Sequence, residues 1–176
     1  MLETTRLNLR RLSEDDAEFI LALLNDPSFL RNIGDKKVRT LSDARSYIRN
    51  NMVASYKRFG FGLYLVELKD AKTPIGICGL VKRESLPDVD IGFAFAPRFW
   101  SQGYATESAQ AVKFYGMEAV GLKRIAAVTN PDNDGSIGVL EKIGFKYERM
   151  IRLSEDEPEI RLYAYEVTKS CQDEER

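Results

Sequence analysis

A segment that could bind phosphate groups lies near the middle of the chain, from Trp100 to Thr106. It follows an apolar, strand-like run, Ile91 to Phe95, and it opens a long helical pattern. The first turn of a helix has backbone N–H groups without intrahelical partners, and the helix dipole is positive there. Gly103 has no Cβ, so a ligand can approach its backbone closely. The candidate donors to a phosphate are the backbone groups of Gln102, Gly103, Tyr104, Ala105 and Thr106.

This segment differs from the two best-known phosphate-binding sequences. It has one glycine where a dinucleotide-binding fingerprint needs three, and no Gly-Lys-Ser or Gly-Lys-Thr follows it as in a P-loop. A single glycine before a helix is also typical of an ordinary turn. The interpretation therefore depends on what lies elsewhere in the chain.

Three polar side chains near strand ends or helix starts are further candidates. Asp90 begins the apolar strand, where a carboxylate acting through a water molecule could serve as a general base, although an aspartate there is also a common turn residue. Asn133 lies in a segment rich in turn formers, where it would either bind a ligand through its amide or cap a helix. Ser136 begins the next predicted helix, where its hydroxyl would either act on a ligand or belong to an ordinary helix-start serine.

The order and spacing of these groups resemble a known family. The acetyl-coenzyme A site of the GNAT superfamily of N-acetyltransferases is similar to Trp100-x-x-Gly103-x-Ala105, Asn133-x-x-Ser136 and Glu141-Lys142-x-Gly144-Phe145. Its RimJ/RimL-like branch, which includes enzymes acting on the N-termini of ribosomal proteins, is similar to Glu3-Thr4-x-Arg6-Leu7-x-Leu9-Arg10 and Asp90-Ile91-Gly92-Phe93. The resemblance extends from about Leu2 to Val167.

The resemblance implies how the co-substrate, acetyl-coenzyme A, would bind. The loop Gln102–Thr106 would hold the pyrophosphate, and the amide of Asn133 would bond the pantetheine amides. The strand that ends at Phe95 and Ala96 would diverge from its neighbour and pair with the pantetheine arm. A backbone N–H near Phe95 would then face the thioester oxygen.

The resemblance also implies a role for Ser136, because the serine of Asn-x-x-Ser is the proposed proton donor to the departing thiolate in this branch. Many other members place a general-acid tyrosine directly before the Glu-Lys pair, but this chain has Leu140 there. A serine is a weak acid, so Ser136 would either protonate the sulfur or only hydrogen-bond to it. Asp90 is the candidate base, with water as the alternative.

Composition excludes several classes of function. With 176 residues, 44% apolar and 30% charged, the chain is typical of one globular domain. A net charge of −1, with scattered Lys and Arg, argues against a nucleic-acid partner, and the absence of a long apolar run argues against a membrane partner. Histidine is absent, so a histidine base is excluded, and Cys78 and Cys171 alone cannot close a zinc site. We expect no metal, reduced cysteines, and a cytoplasmic protein without a signal peptide.

Strand and helix patterns are mixed along the chain without strict alternation, which predicts one α/β domain. We expect residues 1–170 to form this domain and residues 171–176 to form a polar tail. The resemblance implies an α+β fold of the GNAT type: a mixed, mostly antiparallel sheet of six to seven strands flanked by helices. Helices are predicted at residues 15–24 and 42–57, after Gly103, and at residues 136–143.

The function expected from these observations is acetyl transfer from acetyl-coenzyme A to a primary amine by direct attack. A covalent enzyme intermediate is not expected, because Cys78 lies in an apolar strand and has no histidine partner. The acceptor would be a protein N-terminus; the alternatives are a small amine (a polyamine, antibiotic or amino acid) or no acceptor, in a non-catalytic acetyl-coenzyme A sensor. Homodimers are frequent in the family, so a homodimer is an expectation here too.

Overall fold

A single mixed sheet forms the centre of the molecule. The computed structural model describes residues 1–167. The eight strands lie in the order β1-β2-β3-β4-β5-β6-β8-β7. Their bounds are β1 Leu2–Glu3, β2 Leu7–Arg11, β3 Leu63–Leu68, β4 Pro74–Lys82, β5 Val89–Phe95, β6 Arg124–Thr129, β7 Lys146–Ile151 and β8 Ile160–Glu166.

Six α-helices accompany the sheet within the described residues. They are α1 Ala17–Leu24, α2 Pro27–Asn32, α3 Leu41–Tyr47, α4 Ala54–Phe59, α5 Tyr104–Glu118 and α6 Asp134–Lys142. A π-helical segment, Ile48–Val53, joins α3 to α4, so the predicted helix over residues 42–57 is one continuous helical stretch. Thr40 and Asp43 form a capping box at its start, and Gly60, with φ 81°, ends it.

The expected fold class is confirmed, with one strand more than the upper expectation of seven. All neighbouring strands are antiparallel except β5 and β6, which are parallel. The additional strand is β1, which has only two residues and pairs Leu2 with Leu9. Two residues are too few to show an alternating pattern in the sequence. The predicted tail, residues 171–176, lies outside the described residues, and so does Cys171.

Helices lie on both faces of the sheet because side chains alternate along each strand. Tyr64 of β3 points toward α5, where its ring meets Tyr115 edge-on at 6.2 Å. Glu67 of β3 points to the opposite face, where Arg10 joins it to Asp16 at the start of α1. Burial of apolar side chains from both faces forms the core.

A buried lysine ties α6 to α5. Lys113 of α5 donates from Nζ to the carbonyl oxygen of Ile143 at 2.6 Å, at the C-terminal end of α6. Its ammonium group lies 4.1 Å from the centre of the Tyr165 ring. A cation at a helix C-terminus is favourable. This contact fixes the helix whose opposite end carries Asn133 and Ser136.

Residues 1–167 lack two features of other classes of protein. No helix in that range has the length and apolar character needed to cross a membrane. The same residues contain no cluster of three or more His, Cys, Asp and Glu side chains able to hold a metal ion.

Candidate active site

The site is formed where β5 and β6 separate. Within residues 1–167, a single register pair joins these strands, between Asp90 and Ala126. On its other side β5 pairs with β4 along its whole length, up to Gly76 and Phe95. Toward their C-terminal ends, β5 and β6 are therefore no longer paired, and a gap opens between them.

Backbone groups of β5 point into this gap. The Ala96 N–H donates to the Ile75 carbonyl at 3.0 Å, directly beside the pair Gly76 and Phe95. Hydrogen-bonded and non-hydrogen-bonded pairs alternate in an antiparallel ladder, so Phe95 and Phe93 direct their own N–H and C=O groups away from β4. The side facing away from β4 is the side of β6. A chain of amides lying in the gap would meet an unpaired strand edge.

Two of the predicted backbone contacts are changed by local pairing. The carbonyl of Phe95 accepts a hydrogen bond from Trp100 Nε1 at 2.7 Å. Both backbone groups of Ala96 are paired within the protein, the N–H with Ile75 and the carbonyl with the N–H of Phe99. The N–H of Phe95, which points into the gap, is thus the predicted strand donor that local pairing leaves in place.

The loop before α5 has the geometry of an anion site. Gly103 is the N-cap residue with φ 82°, a conformation that favours glycine. The first backbone hydrogen bond of the helix joins the Glu107 N–H to the Gly103 carbonyl. Across residues 1–167, the N–H groups of residues 103–106 have no protein acceptor. Gln102 is exposed, and its side chain donates to the Arg98 carbonyl.

A cluster of polar contacts from the N-terminus holds this loop, and we call it the Arg6–Glu107 clamp. It consists of Thr4, Arg6 and Glu107. Glu107 accepts from the Thr4 hydroxyl at 2.6 Å, from the Arg6 N–H at 2.8 Å and from Arg6 Nε at 2.7 Å. Arg6 Nη1 also donates to the Gln102 carbonyl at 2.9 Å. From the sequence, Thr4 and Arg6 are marks of a family branch only, and this contact is not predicted because no local signal pairs Arg6 with Glu107.

Asp90 lies at the point where the two strands separate. Its side chain is buried, and Arg83 Nε lies 3.1 and 3.0 Å from its two carboxylate oxygens. Burial raises the pKa of Asp90, while the charge and hydrogen bonds of Arg83 act in the opposite direction. Arg83 thus holds both oxygens of the buried Asp90 carboxylate beside the gap.

Asn133 and Ser136 occupy the N-terminus of α6. Asn133 is the N-cap residue, and its Oδ1 accepts from the Ser136 N–H at 3.1 Å. The capping role is thus present, and it uses the amide oxygen and leaves the Nδ2 group for other contacts. Ser136 is partly exposed in the first turn. Leu140, one turn later, is buried in the core with 1% exposure.

Cys78 is placed where it cannot act as a nucleophile. It is fully buried in β4, and burial raises the pKa of its thiol to about 12, with a hydrogen bond from Ser108 opposing the shift. The thiolate is the reactive form of cysteine, so this residue is inert near neutral pH.

A pocket of about 150 Å³ lies at the paired end of β5 and β6. The loop before β5 supplies Asp88, β6 supplies Arg124 and Ala126, and β7 supplies Arg149. Asp88, Glu148 and Glu166 all contact Arg124, so the charge of that arginine is offset.

The end of α2 reaches the open end of the gap. The Asn130 Nδ2 group, directly after β6, donates to the carbonyls of Arg31 and Asn32 at 3.3 and 3.2 Å. Phe29, in the same helix, is buried in the core. The end of α2 is therefore fixed to the strand that borders the gap.

A family model and a curated relative both match this chain as an acetyltransferase. The family model described as "Acetyltransferase (GNAT) domain" matches residues 6–146. The "Uncharacterized N-acetyltransferase YoaA" of Bacillus subtilis is 33% identical over 153 residues, which are 86% of this chain and 86% of YoaA.

Solved structures have the same fold. A GNAT-family acetyltransferase from Bacillus anthracis has a TM-score of 0.78 and 27% identity, covering 94% of this chain and 97% of that one. The ribosomal L7/L12 alpha-N-protein acetyltransferase RimL, in complex with coenzyme A, has a TM-score of 0.80 and 21% identity, covering 93% and 95% of the two chains. The chain belongs to the GNAT acetyltransferase family.

Proposed function

We propose that this protein transfers an acetyl group from acetyl-coenzyme A to a primary amine by direct attack. The observation that carries the proposal is the gap between β5 and β6, which opens next to the unpaired N–H groups at residues 103–106. A pyrophosphate on those groups and a pantetheine arm in the gap would bring the thioester to the strand edge. Membership of the family supports acetyl-coenzyme A as the co-substrate.

The backbone of β5 would stabilise the oxygen of the thioester in the transition state. The N–H near Phe95 points into the gap, where the thioester oxygen would gain negative charge as the amine attacks. One such donor typically contributes ~2.7–4 kcal/mol of transition-state stabilisation. Because the donor belongs to the backbone, the side chains of Phe93 and Phe95 remain free to pack.

Asp90 would accept the proton of the attacking ammonium group through water. Replacing Asp90 with Asn should lower kcat/KM at low pH least and at neutral pH most, because only the ionised carboxylate acts as a base. The wild-type rate should fall as the pH drops through the raised pKa of Asp90. The variant should lose this acidic limb of the pH–rate profile. The measurement is kcat/KM from pH 5 to 9, and an unchanged acidic limb in the variant would rule out Asp90.

Ser136 would act on the sulfur of the departing coenzyme A. Replacing Ser136 with Ala should lower kcat more than it raises KM for acetyl-coenzyme A, because a bond to the thiolate forms only as the sulfur leaves. The Asn133 cap is kept in this variant, since it uses the Ser136 backbone. Steady-state kinetics with varied acetyl-coenzyme A measures both constants. A rise in KM alone would make Ser136 a binding contact only.

The proposed acceptor is a protein N-terminal amine of the ribosomal-protein type. The resemblance to RimJ/RimL-like enzymes supports this class of acceptor. A small amine is the alternative, and a non-catalytic sensor is a third because Leu140 replaces the usual tyrosine. The neutral fraction of an N-terminal amine, with pKa about 7.7–8.0, is substantial near pH 7, so such an acceptor needs little help from a base.

One assay separates these possibilities. Coenzyme A release is followed with a thiol reagent while peptides with free N-termini, N-terminally blocked peptides and small primary amines are offered as acceptors. Turnover on free N-termini but not on blocked ones supports the first class, and turnover on small amines alone supports the second. Acetyl-coenzyme A binding without turnover on any of them would contradict the enzymatic proposal and favour the sensor.

A further inference from the structure

We propose that Arg6 is a cofactor-binding residue, which neutralises Glu107 at the start of α5 and presents its Nη2 group to the diphosphate of coenzyme A. This inference concerns the same site and rests on the proposed function. Arg6, which lies nearly a hundred positions before the phosphate loop in the sequence, would balance the negative charge beside that loop.

The charge of Glu107 creates the need for Arg6. Glu107 is an acid in the first turn of α5, next to the N–H groups proposed to hold a diphosphate. A carboxylate there would repel the incoming diphosphate, because the two groups carry like charges and lie at the same end of the helix. Arg6 places its guanidinium against this carboxylate, with Nε 2.7 Å from Oε2. Burial tends to raise the pKa of Glu107, but the bonds from Thr4 and Arg6 outweigh it and lower the pKa, so the acid is ionised and paired at neutral pH.

The clamp also determines where the acid points. An acid near the start of a helix is attracted to the positive end of the helix dipole, where the free N–H groups lie. Here the Glu107 oxygens are used by the Thr4 hydroxyl, the Arg6 N–H and Arg6 Nε. The N–H groups of residues 103–106 are therefore left for a ligand.

One nitrogen of Arg6 beside the loop is left without a bond in the described residues. Nε is bonded to Glu107 and Nη1 to the Gln102 carbonyl, but Nη2 has no hydrogen-bond partner among residues 1–167. Nη2 lies 3.2 Å from the position that a Cβ on Gly103 would occupy. The Tyr104 ring packs against the guanidinium at 4.5 Å and holds its plane. A charged donor and the backbone donors of the helix therefore border the same position, and a diphosphate can accept from both.

The test measures dissociation constants for coenzyme A by calorimetry at fixed ionic strength. Arg6→Met should weaken binding by about 30-fold, since it removes a charged donor and leaves Glu107 unpaired. Arg6→Lys keeps the charge but loses the planar guanidinium. Its dissociation constant should therefore lie between those of the wild type and Arg6→Met. In the double variant Arg6→Met with Glu107→Gln, the loss should shrink to under about 10-fold, because the uncompensated charge is gone. Melting temperatures establish that each variant is folded.

Arg11→Met is the matched control. Arg11 lies on the neighbouring strand β2 and also packs on a tyrosine, Tyr56, at 5.1 Å, but away from the loop. The Arg11→Met protein should bind coenzyme A as tightly as the wild type. Dephospho-coenzyme A distinguishes the two phosphate sources: an equal loss with both ligands supports the diphosphate, and a loss seen only with coenzyme A overturns it in favour of the 3′-phosphate.

Two further results would overturn the inference. A folded Arg6→Met protein that binds coenzyme A within about 2-fold of the wild type would exclude the contact. A double variant as weak as Arg6→Met alone would exclude neutralisation of Glu107 as the reason. Failure of the wild type itself to bind coenzyme A is a different outcome, because it would overturn the proposed function.

Discussion

Replacing Gly103 with Asp should weaken coenzyme A binding by roughly 100-fold. The new carboxylate would stand beside the diphosphate, and two unit charges about 5 Å apart near a protein surface repel each other by about 3 kcal/mol. That energy corresponds to roughly two powers of ten in Kd. Arg6 Nη2 lies 3.2 Å from the position of a Cβ on Gly103, so it would pair with the new carboxylate and be withdrawn from the diphosphate. Isothermal calorimetry of the variant gives the value.

Gly103→Asn is the control for this variant. Asparagine has nearly the same size and shape as aspartate and, like it, tolerates the left-handed conformation that Gly103 adopts at φ 82°. Its loss of affinity measures the cost of the added side chain alone, so the difference between the two variants reports the charge. Equal affinities for the Asp and Asn variants would mean that no phosphate lies beside Gly103.

The largest expected effect on stability belongs to Gly79, in the middle of β4. A Cβ there would lie 2.0 Å from the Gly62 carbonyl oxygen and 2.7 Å from the Leu63 Cα. Both are backbone atoms of the segment that runs into β3, so the strands must separate. Gly79→Ala should therefore lower the free energy of unfolding by about 3 kcal/mol. For a domain of this size the melting temperature should fall by about 6–12 °C.

A glycine with free space provides the comparison. Gly138 lies inside α6, and apart from its chain neighbours and the backbone of that helix, no atom of residues 1–167 lies within 4 Å of the position of a Cβ on it. Gly138→Ala should raise the melting temperature by about 2–4 °C, because alanine favours the helix by about 1 kcal/mol. A Gly79→Ala protein that melts with the wild type would show that β3 and β4 adjust to the added methyl group without cost.

Local patterns were sufficient to predict most of the fold. The helix over residues 42–57 has a cap at Thr40 and a periodic apolar face, and it forms within two residues of the predicted ends. β1 was missed because its two residues are held by pairing with Leu9 and Asn8 and have no pattern of their own. Its position is defined only by its tertiary pairing with β2.

Some residues of the candidate site could be predicted from the sequence, and others could not. The residues of the Gly103 loop, Asn133 and Asp90 were proposed because turn and strand signals surround them and because their order and spacing resemble the GNAT superfamily. The Arg6–Glu107 clamp and the Arg83–Asp90 pair were not proposed. Arg6 and Glu107 lie 101 residues apart, and no local signal states which of many arginines meets which acid. Such pairs depend on tertiary structure, in which β2 passes beside the start of α5.

The most direct test of the whole account is a thermal melt with acetyl-coenzyme A. The proposed site requires β5, the Gly103 loop and Asn133 to be folded together, so the unfolded chain should not bind the ligand. A ligand bound only by the folded state at a hundredfold excess over Kd stabilises it by ~2.7 kcal/mol.

For a domain of this size, that energy raises the melting temperature by about 5–11 °C, provided that unfolding is close to two-state. Free coenzyme A should give a similar rise, while NAD and ATP, which lack a pantetheine arm, should give little. An unchanged melt at saturating acetyl-coenzyme A would contradict the proposed activity. An equal rise with NAD or ATP would mean that the loop binds phosphates without the pantetheine contact that the account requires.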